Sequence, residues 1–268
     1  MSGEFGTWHY GLIARWWAEF NVAESEELAY FGAAIRRFGQ PALDLGCGTG
    51  RILLPLLAEG LDVDGADISD DMISLAREAT VRRGFAPSLT VQAMHQLDLG
   101  RTYRTIFICG SFGLGGRRDY DREAVKRIYR HLEPGGALLI TNVGLPYVDD
   151  EEGWAGWQPG HRADLPGEWP AEGERRTASD GDEIEHLFRV AELDPFEQRT
   201  TYQIRARLWH DGKIVKEEEH SLRINLYLVQ EVLAMLDEAG FSEVAVEAGY
   251  TGRPATADDA SVAFVAVK

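Results

Sequence analysis

Apolar residues recur at helical spacing near the start of the chain, where Leu12, Ile13, Trp16, Trp17 and Phe20 share one face. A second helix is predicted with Ser25 as its cap, Glu26 and Glu27 in its first turn, and Leu28, Phe31 and Ile35 along its apolar stripe. Gly39 and Gln40-Pro41 stop it, so residues 1–40 read as an N-terminal helical cap. From Ala42 the period changes. Ala42-Leu43-Asp44-Leu45 is a short strand running into Gly46-Cys47-Gly48-Thr49-Gly50, followed by a helix with Ile52, Leu53, Leu56 and Leu57. Pro55 lies inside that helix and bends it unless it falls in the first turn. Residues 61–68 read as a second strand. Ser69 then caps a helix with Asp70 and Asp71 in its first turn, an apolar face of Met72, Leu75, Ala76 and Ala79, and Gly84 beyond its end. Residues 89–94 and 105–109 give a third and a fourth strand, and a helix from about Arg122 to Leu132 turns Val125 and Ile128 inward. Glu133-Pro134-Gly135-Gly136 is a tight turn into a fifth strand at 137–141. Strands alternating with helices in this way predict an α/β, doubly wound, mainly parallel sheet.

The alternation breaks between Gly144 and Arg189, a stretch rich in Gly, Pro and acids whose Trp154, Trp157 and Trp169 argue for a packed segment. Three β-rich runs follow, at 187–193, 200–209 and 214–224, the last two joined by an Asp211-Gly212 hairpin turn. They read as an antiparallel sheet inserted into the doubly wound fold. A helix at 228–239 ends at Gly240, and strands at 241–248 and 261–267 close a seven-stranded sheet. The organisation read from the chain is a cap (1–40), a core (41–143), an inserted loop and antiparallel sheet (144–226), and a closing helix and strands (227–268).

Charge and composition remove several classes of function. Among 268 residues, 44 acids face 27 bases for a formal charge of −17, which repels polyanions. Arg82-Arg83 and Arg117-Arg118 are isolated pairs, so no nucleic-acid partner is expected. No apolar run approaches the ~20 residues of a membrane span, and Met1 to Tyr10 lacks the charged and apolar regions of a secretion signal. The expectation is a cytoplasmic protein, monomeric or homodimeric, with no membrane partner. Cys47 and Cys109 make neither a disulfide framework nor a four-ligand metal site, and no histidine sits in a metal-binding motif, so no metal is expected. Both cysteines read as small buried fillers.

The segment that carries chemistry is Leu43-Asp44-Leu45-Gly46-Cys47-Gly48-Thr49-Gly50-Arg51. A strand turning through glycines into a helix lets backbone approach a ligand and aims free N–H groups at it. A dinucleotide loop wants G-x-G-x-x-G, but its third position here is Arg51. The run instead resembles the D-x-G-x-G-x-G signature of class I S-adenosylmethionine-dependent methyltransferases, a family with a Rossmann-like fold. That resemblance implies that Gly46, Cys47, Gly48 and Gly50 wrap the methionine and ribose of the cofactor while Asp44 anchors the ammonium. It places Asp67, in Gly65-Ala66-Asp67-Ile68-Ser69, on both ribose hydroxyls, for which a carboxylate suits a vicinal diol. It places Ile68 and Met72 against the adenine. Ala93 stands where many relatives have an acid, leaving the Met94 N–H for the ring. Thr105 to Phe112 resembles the family's fourth strand, whose exit at Cys109 faces the transferable methyl group, and Arg130 to Gly136 its corner into the fifth strand. The matches run from about residue 40 to 143.

The resemblance implies methyl transfer from S-adenosylmethionine to a nucleophile, with S-adenosylhomocysteine as product. Such transfer needs position more than a catalytic constellation, and a general base only where the acceptor carries its proton into the attack. His9, Tyr10 and Tyr250 are the candidates for orienting or deprotonating the acceptor. Cys109-Gly110-Ser111-Phe112 matches neither motif of the nucleic-acid-methylating relatives. With the negative charge, this points to a small-molecule acceptor held beneath the N-terminal helices and the inserted sheet, which would act as a substrate lid. An amine nitrogen is the first reading, a small-molecule O-methyltransferase the second, and a non-catalytic regulatory module that binds S-adenosylmethionine the third.

Overall fold

The computed structural model describes residues 7–115, 117–144 and 157–268. Trp154 and the acidic run from 149 to 152 lie outside them. The chain forms two compact units, one of Val22–Phe112, Arg118–Asp149 and Tyr227–Lys268, the other of Met1–Asn21, Gly113–Arg117 and Asp150–Leu226.

The larger unit is built on seven strands: β1 (Ala42–Leu45), β2 (Val63–Asp67), β3 (Leu89–Val91), β4 (Tyr103–Cys109), β5 (Leu132–Gly144), β10 (Glu243–Ala248) and β11 (Ser261–Val267). Their order is β10-β11-β5-β4-β1-β2-β3, with β1 to β5 parallel and β11 antiparallel to both neighbours. Alternate residues feed opposite faces. Leu43, Leu45, Ile106, Ile108, Leu138 and Ile140 share a cluster with Val125 and Ile128 of α5 (Arg118–His131) and Val232 and Leu236 of α7 (Val229–Ala239). Phe107 and Leu139 join Phe31 and Ile35 of α2 (Ser25–Phe38) and Leu53 and Leu56 of α3 (Leu53–Ala58). A sheet buried on both faces explains the nearly continuous apolar runs of its strands. The strand order reverses between β1 and β4, and at such a switch point a crevice opens beyond the carboxyl ends of the strands.

The local signals hold with small corrections. The cap of α2 is Glu24 rather than Ser25: its N–H donates to Glu27 Oε2 at 3.0 Å, closing a capping box. Pro55 is the third residue of α3, where a missing N–H removes no helical bond, so the bend foreseen as one outcome is not required. Ser69 caps α4 (Asp70–Arg82) as foreseen, its Oγ accepting from Met72 N–H at 3.1 Å. The third strand stops at Val91, and a 3₁₀ turn occupies Met94–Gln96. The corner at Glu133 to Gly136 lies inside β5 as a bulge, Leu132 pairing with Tyr103 and Ala137 with Thr105.

The smaller unit holds an antiparallel sheet of four strands in the order β6-β7-β8-β9: β6 (Glu174–Thr177), β7 (Glu183–Asp194), β8 (Arg199–His210) and β9 (Lys213–Asn225). A helical turn, α6 (Pro159–Arg162), precedes it. The Asp211-Gly212 turn has positive φ at both residues (49° and 72°), as a two-residue hairpin requires. α1 (Gly11–Phe20) belongs to this unit and packs Leu12 and Ile13 on Ile204 and Ala206, and Trp16 on Ile184. The two N-terminal helices therefore fall in different units, where the sequence reading grouped them in one cap. Trp169 lies over the guanidinium groups of Arg189 (4.5 Å) and Arg205 (4.3 Å), which accounts for a tryptophan in the polar segment. Among the described residues, no helix is long and apolar enough to cross a membrane.

Candidate active site

Asp44 is the penultimate residue of β1 with Gly46 just beyond the strand, Asp67 ends β2, and Cys109 ends β4, so the sequence-selected groups gather at the carboxyl ends of adjacent strands. Gly46, Gly48 and Gly50 all have positive φ (82°, 54° and 92°), which turns the chain sharply out of β1 and into α3. Their side-chain positions differ in meaning. A methyl group at Gly46 would collide with the Ser111 hydroxyl and press on Met94 Cε at 3.1 Å, so glycine there serves packing. One at Gly48 would meet only Met72 Sδ, at 4.0 Å, and otherwise project into open space. That leaves room beside the turn for a ligand. Met72 is buried, while Ile68 and Met94 are half-buried.

Four of the loop amides, those of Gly46, Cys47, Gly48 and Gly50, are not free, which corrects the sequence reading. Gly46 and Cys47 both donate to Ala66 O (2.7 and 3.1 Å), Gly50 to Cys47 O (3.0 Å), and Gly48 to Asp67 Oδ2 (2.9 Å). Buried N–H groups beside β2 must find acceptors, and the protein supplies them. A phosphate would need those donors. What remains at the crevice is carboxylate. Asp67 also accepts from Ser69 N–H at 2.9 Å, which fixes both its oxygens and leaves each with lone-pair capacity for a hydroxyl. Its pKa is raised by burial, against which the N–H groups of Ser69, Gly48 and Ile68 act.

Asp44 has fewer donors than Asp67. It is 2% exposed, and burial pushes its pKa up to about 8, with Asp67 adding to the shift while Arg51 and the Leu53 N–H oppose it. A buried carboxylate in this state favours a cationic partner. Arg51 does not supply it, because its guanidinium is paired with both oxygens of Glu27, Nη2 to Oε1 at 3.1 Å. Glu27 also accepts from Tyr250 O–H (3.0 Å) and sits 3.5 Å from Cys109 Sγ. Burial alone would raise its pKa, but Arg51, the Glu24 N–H and Tyr250 hold it below the ordinary carboxylate value. Sequence reasoning missed this cluster: Glu27 reads there as a first-turn acid and Arg51 only as a departure from a dinucleotide pattern.

The three proposed acceptor-handling residues are not brought together in one unit. Tyr250 stands in the cluster just described, and burial, then its bond with Cys109, raise its pKa far above that of a free phenol. His9 and Tyr10 belong to the smaller unit. Burial lowers the His9 pKa to about 4, with Nδ1 2.5 Å from Thr7 Oγ1 and the ring edge-on to Trp17. Tyr10 precedes α1, and its carbonyl accepts from Ile13 and Ala14 N–H (3.1 and 3.2 Å). Both cysteines are free thiols whose pKa values burial raises, Cys47 most strongly.

Residues 42–136 match the protein family described as "Methyltransferase domain". The chain is 25% identical over 237 residues to a putative methyltransferase of Geobacillus sp. (strain WCH70), covering 87% of this chain and 86% of that one. It is 31% identical over 141 residues to the ubiquinone/menaquinone biosynthesis C-methyltransferase of Klebsiella pneumoniae, about half the length of either (51% and 52%). Over 109 residues it is 34% identical to the dTDP-4-amino-2,3,4,6-tetradeoxy-D-glucose N,N-dimethyltransferase of Saccharopolyspora spinosa, covering 40% of this chain and 42% of that one. Its fold is similar to that of the sugar N-methyltransferase KedS8 from Streptoalloteichus sp., with a TM-score of 0.65 at 22% identity over 98% of this chain and 96% of that one. The family match begins at β1 and spans the glycine turn, both strand-end carboxylates and the corner into β5. Residues 42–136 are thus a methyltransferase domain, and the fold is similar to that of an S-adenosylmethionine-dependent methyltransferase from Clostridium acetobutylicum, with a TM-score of 0.68 at 15% identity over 92% of either chain.

Proposed function

We propose that the protein methylates the nitrogen of a small amine, of the amino-sugar class. The observation that carries this reading is the state of the groups around the exit of β4. Tyr250 donates its proton to Glu27, Cys109 is held as a thiol, and Arg51 is paired, so none of them is set to remove a proton from an acceptor. An alcohol or phenol needs such a base, whereas an uncharged amine attacks with its own lone pair. What the cofactor supplies is a methyl group on a sulfonium, a ready leaving group. The chain would hold it through Asp44 on the ammonium and Asp67 on the ribose hydroxyls, with the open side of Gly48 making room. The charge of −17 favours approach of cationic acceptors, and the Saccharopolyspora relative acts, by its name, on an amino sugar.

The test is a panel of amino sugars, simple amines, sugars and phenols, followed by S-adenosylhomocysteine release and the mass and position of the added methyl. Transfer to nitrogen is expected, and turnover confined to hydroxyl or carbon acceptors would overturn the proposal.

A further inference from the structure

We propose that Glu27 is a positioning residue of the cofactor crevice: by holding both terminal nitrogens of Arg51 it keeps that cation away from Asp44, whose carboxylate is thereby left for the ammonium group of S-adenosylmethionine. The inference rests on the cofactor and is independent of the acceptor. Glu27 is 5% exposed although it lies in the first turn of α2. It joins α2 to the entry of α3 through Arg51, to the end of β4 through Cys109, and to the connection between β10 and β11 through Tyr250. A buried carboxylate with that many donors fixes one arrangement of the groups around it.

The charges facing Asp44 come from each element packed on it. Asp67 approaches from β2, Cys47 from the glycine loop and Cys109 from β4, and Arg51 supplies the cation. Without the Glu27 charge, Arg51 would keep a thiol and a phenol as neighbours, and Asp44 would become its strongest available partner. The ion pair so formed would occupy the group that the ammonium needs. Arg51 would then compete with the cofactor.

The experiment is calorimetric titration with S-adenosylmethionine in two buffers of different ionisation heat, which reports affinity and proton release, alongside thermal melts. Because the Asp44 pKa stands near 8, the wild type is expected to release close to one proton on binding at neutral pH, and affinity to rise between about pH 6 and 8. In Glu27→Gln the affinity should fall by about tenfold or more, and both the proton release and the pH dependence should shrink, since Arg51 has already ionised Asp44. Glu27→Asp should restore them. Where Glu27→Gln does not fold, the paired Glu27→Met/Arg51→Met variant removes the competitor without leaving a buried charge. It should bind within about fivefold of the wild type and still release a proton. Unchanged affinity and proton release in Glu27→Gln, or loss of binding in the folded paired variant, would overturn the proposal. Wild-type titration without binding would instead remove the cofactor assignment beneath it.

Discussion

Asp64 and Asp44 lie on adjacent parallel strands, and both are almost entirely hidden from solvent, at 5% and 2% exposure. Their surroundings are opposite. Asp64 accepts from Arg101 (2.9 Å), from Tyr103 O–H (3.1 Å) and from Ser88 N–H (2.9 Å), and Asp62 shares the same arginine. Asp44 has one backbone donor, a like charge nearby, and an arginine already paired elsewhere. The two aspartates show that burial alone does not distinguish a carboxylate whose partners are complete from one whose partners are not. The donor count does: Asp64 is completed by the protein, whereas Asp44 keeps the capacity for a further partner that the proposed cofactor site would use.

The largest effect is expected at the glycine that opens the crevice. Gly48→Val sends a side chain into the space beside Met72 and should lower S-adenosylmethionine affinity by about a hundredfold or more, while the positive φ costs only about 1–2 kcal/mol of stability. Wild-type affinity in calorimetry would break the reading of the cradle. Next comes the pair of aspartates. Asp44→Asn should weaken cofactor binding by about tenfold or more yet raise the melting temperature of the free protein near pH 8. The sign follows from linkage: with its folded pKa raised, Asp44 binds a proton more tightly in the folded state, so stability falls as pH climbs from the ordinary carboxylate range through about 8. Asp64→Asn should do the reverse, leaving affinity unchanged and costing about 1–3 kcal/mol as its donors lose a charged acceptor. Melting curves with and without cofactor separate the two, and parallel behaviour would erase the distinction.

The smallest effect lies in the other unit. His9 is half-buried and its folded pKa is depressed to about 4, so the stability that it contributes is complete above its ordinary value of 6.5 and is lost as pH falls toward 4. Acid melts of wild type and His9→Gln should diverge in that window, and coincident curves would sever His9 from the acid limb.

The core was legible because its signals are local. The glycine turn, the Ser69 cap and the strand-end Asp67 each sit within a few residues of the feature that they specify. β6 was not legible: Glu-Arg-Arg-Thr is exposed throughout, has no apolar alternation, and becomes a strand only by pairing with β7. Glu24 displaced Ser25 as the cap because Glu27, three residues on, completes a reciprocal pair that Ser25 could not. At the site, the Glu27–Arg51 pair spans 24 residues of sequence and leaves no periodic trace. The bonded state of the loop amides was equally hidden, since it depends on where the Ala66 carbonyl falls once β2 lies beside β1.

The place of β11 has a consequence for how this chain is made. Because β11 lies between β5 and β10, the outer edge of β5 keeps its N–H and C=O groups unpaired until residues 261–267 have left the ribosome. That edge carries Leu138, Leu139 and Ile140, a short apolar run without a gatekeeping charge among them. A nascent or truncated chain ending before Ser261 would therefore expose a sticky strand edge, and its fate is aggregation or chaperone capture rather than a smaller working enzyme.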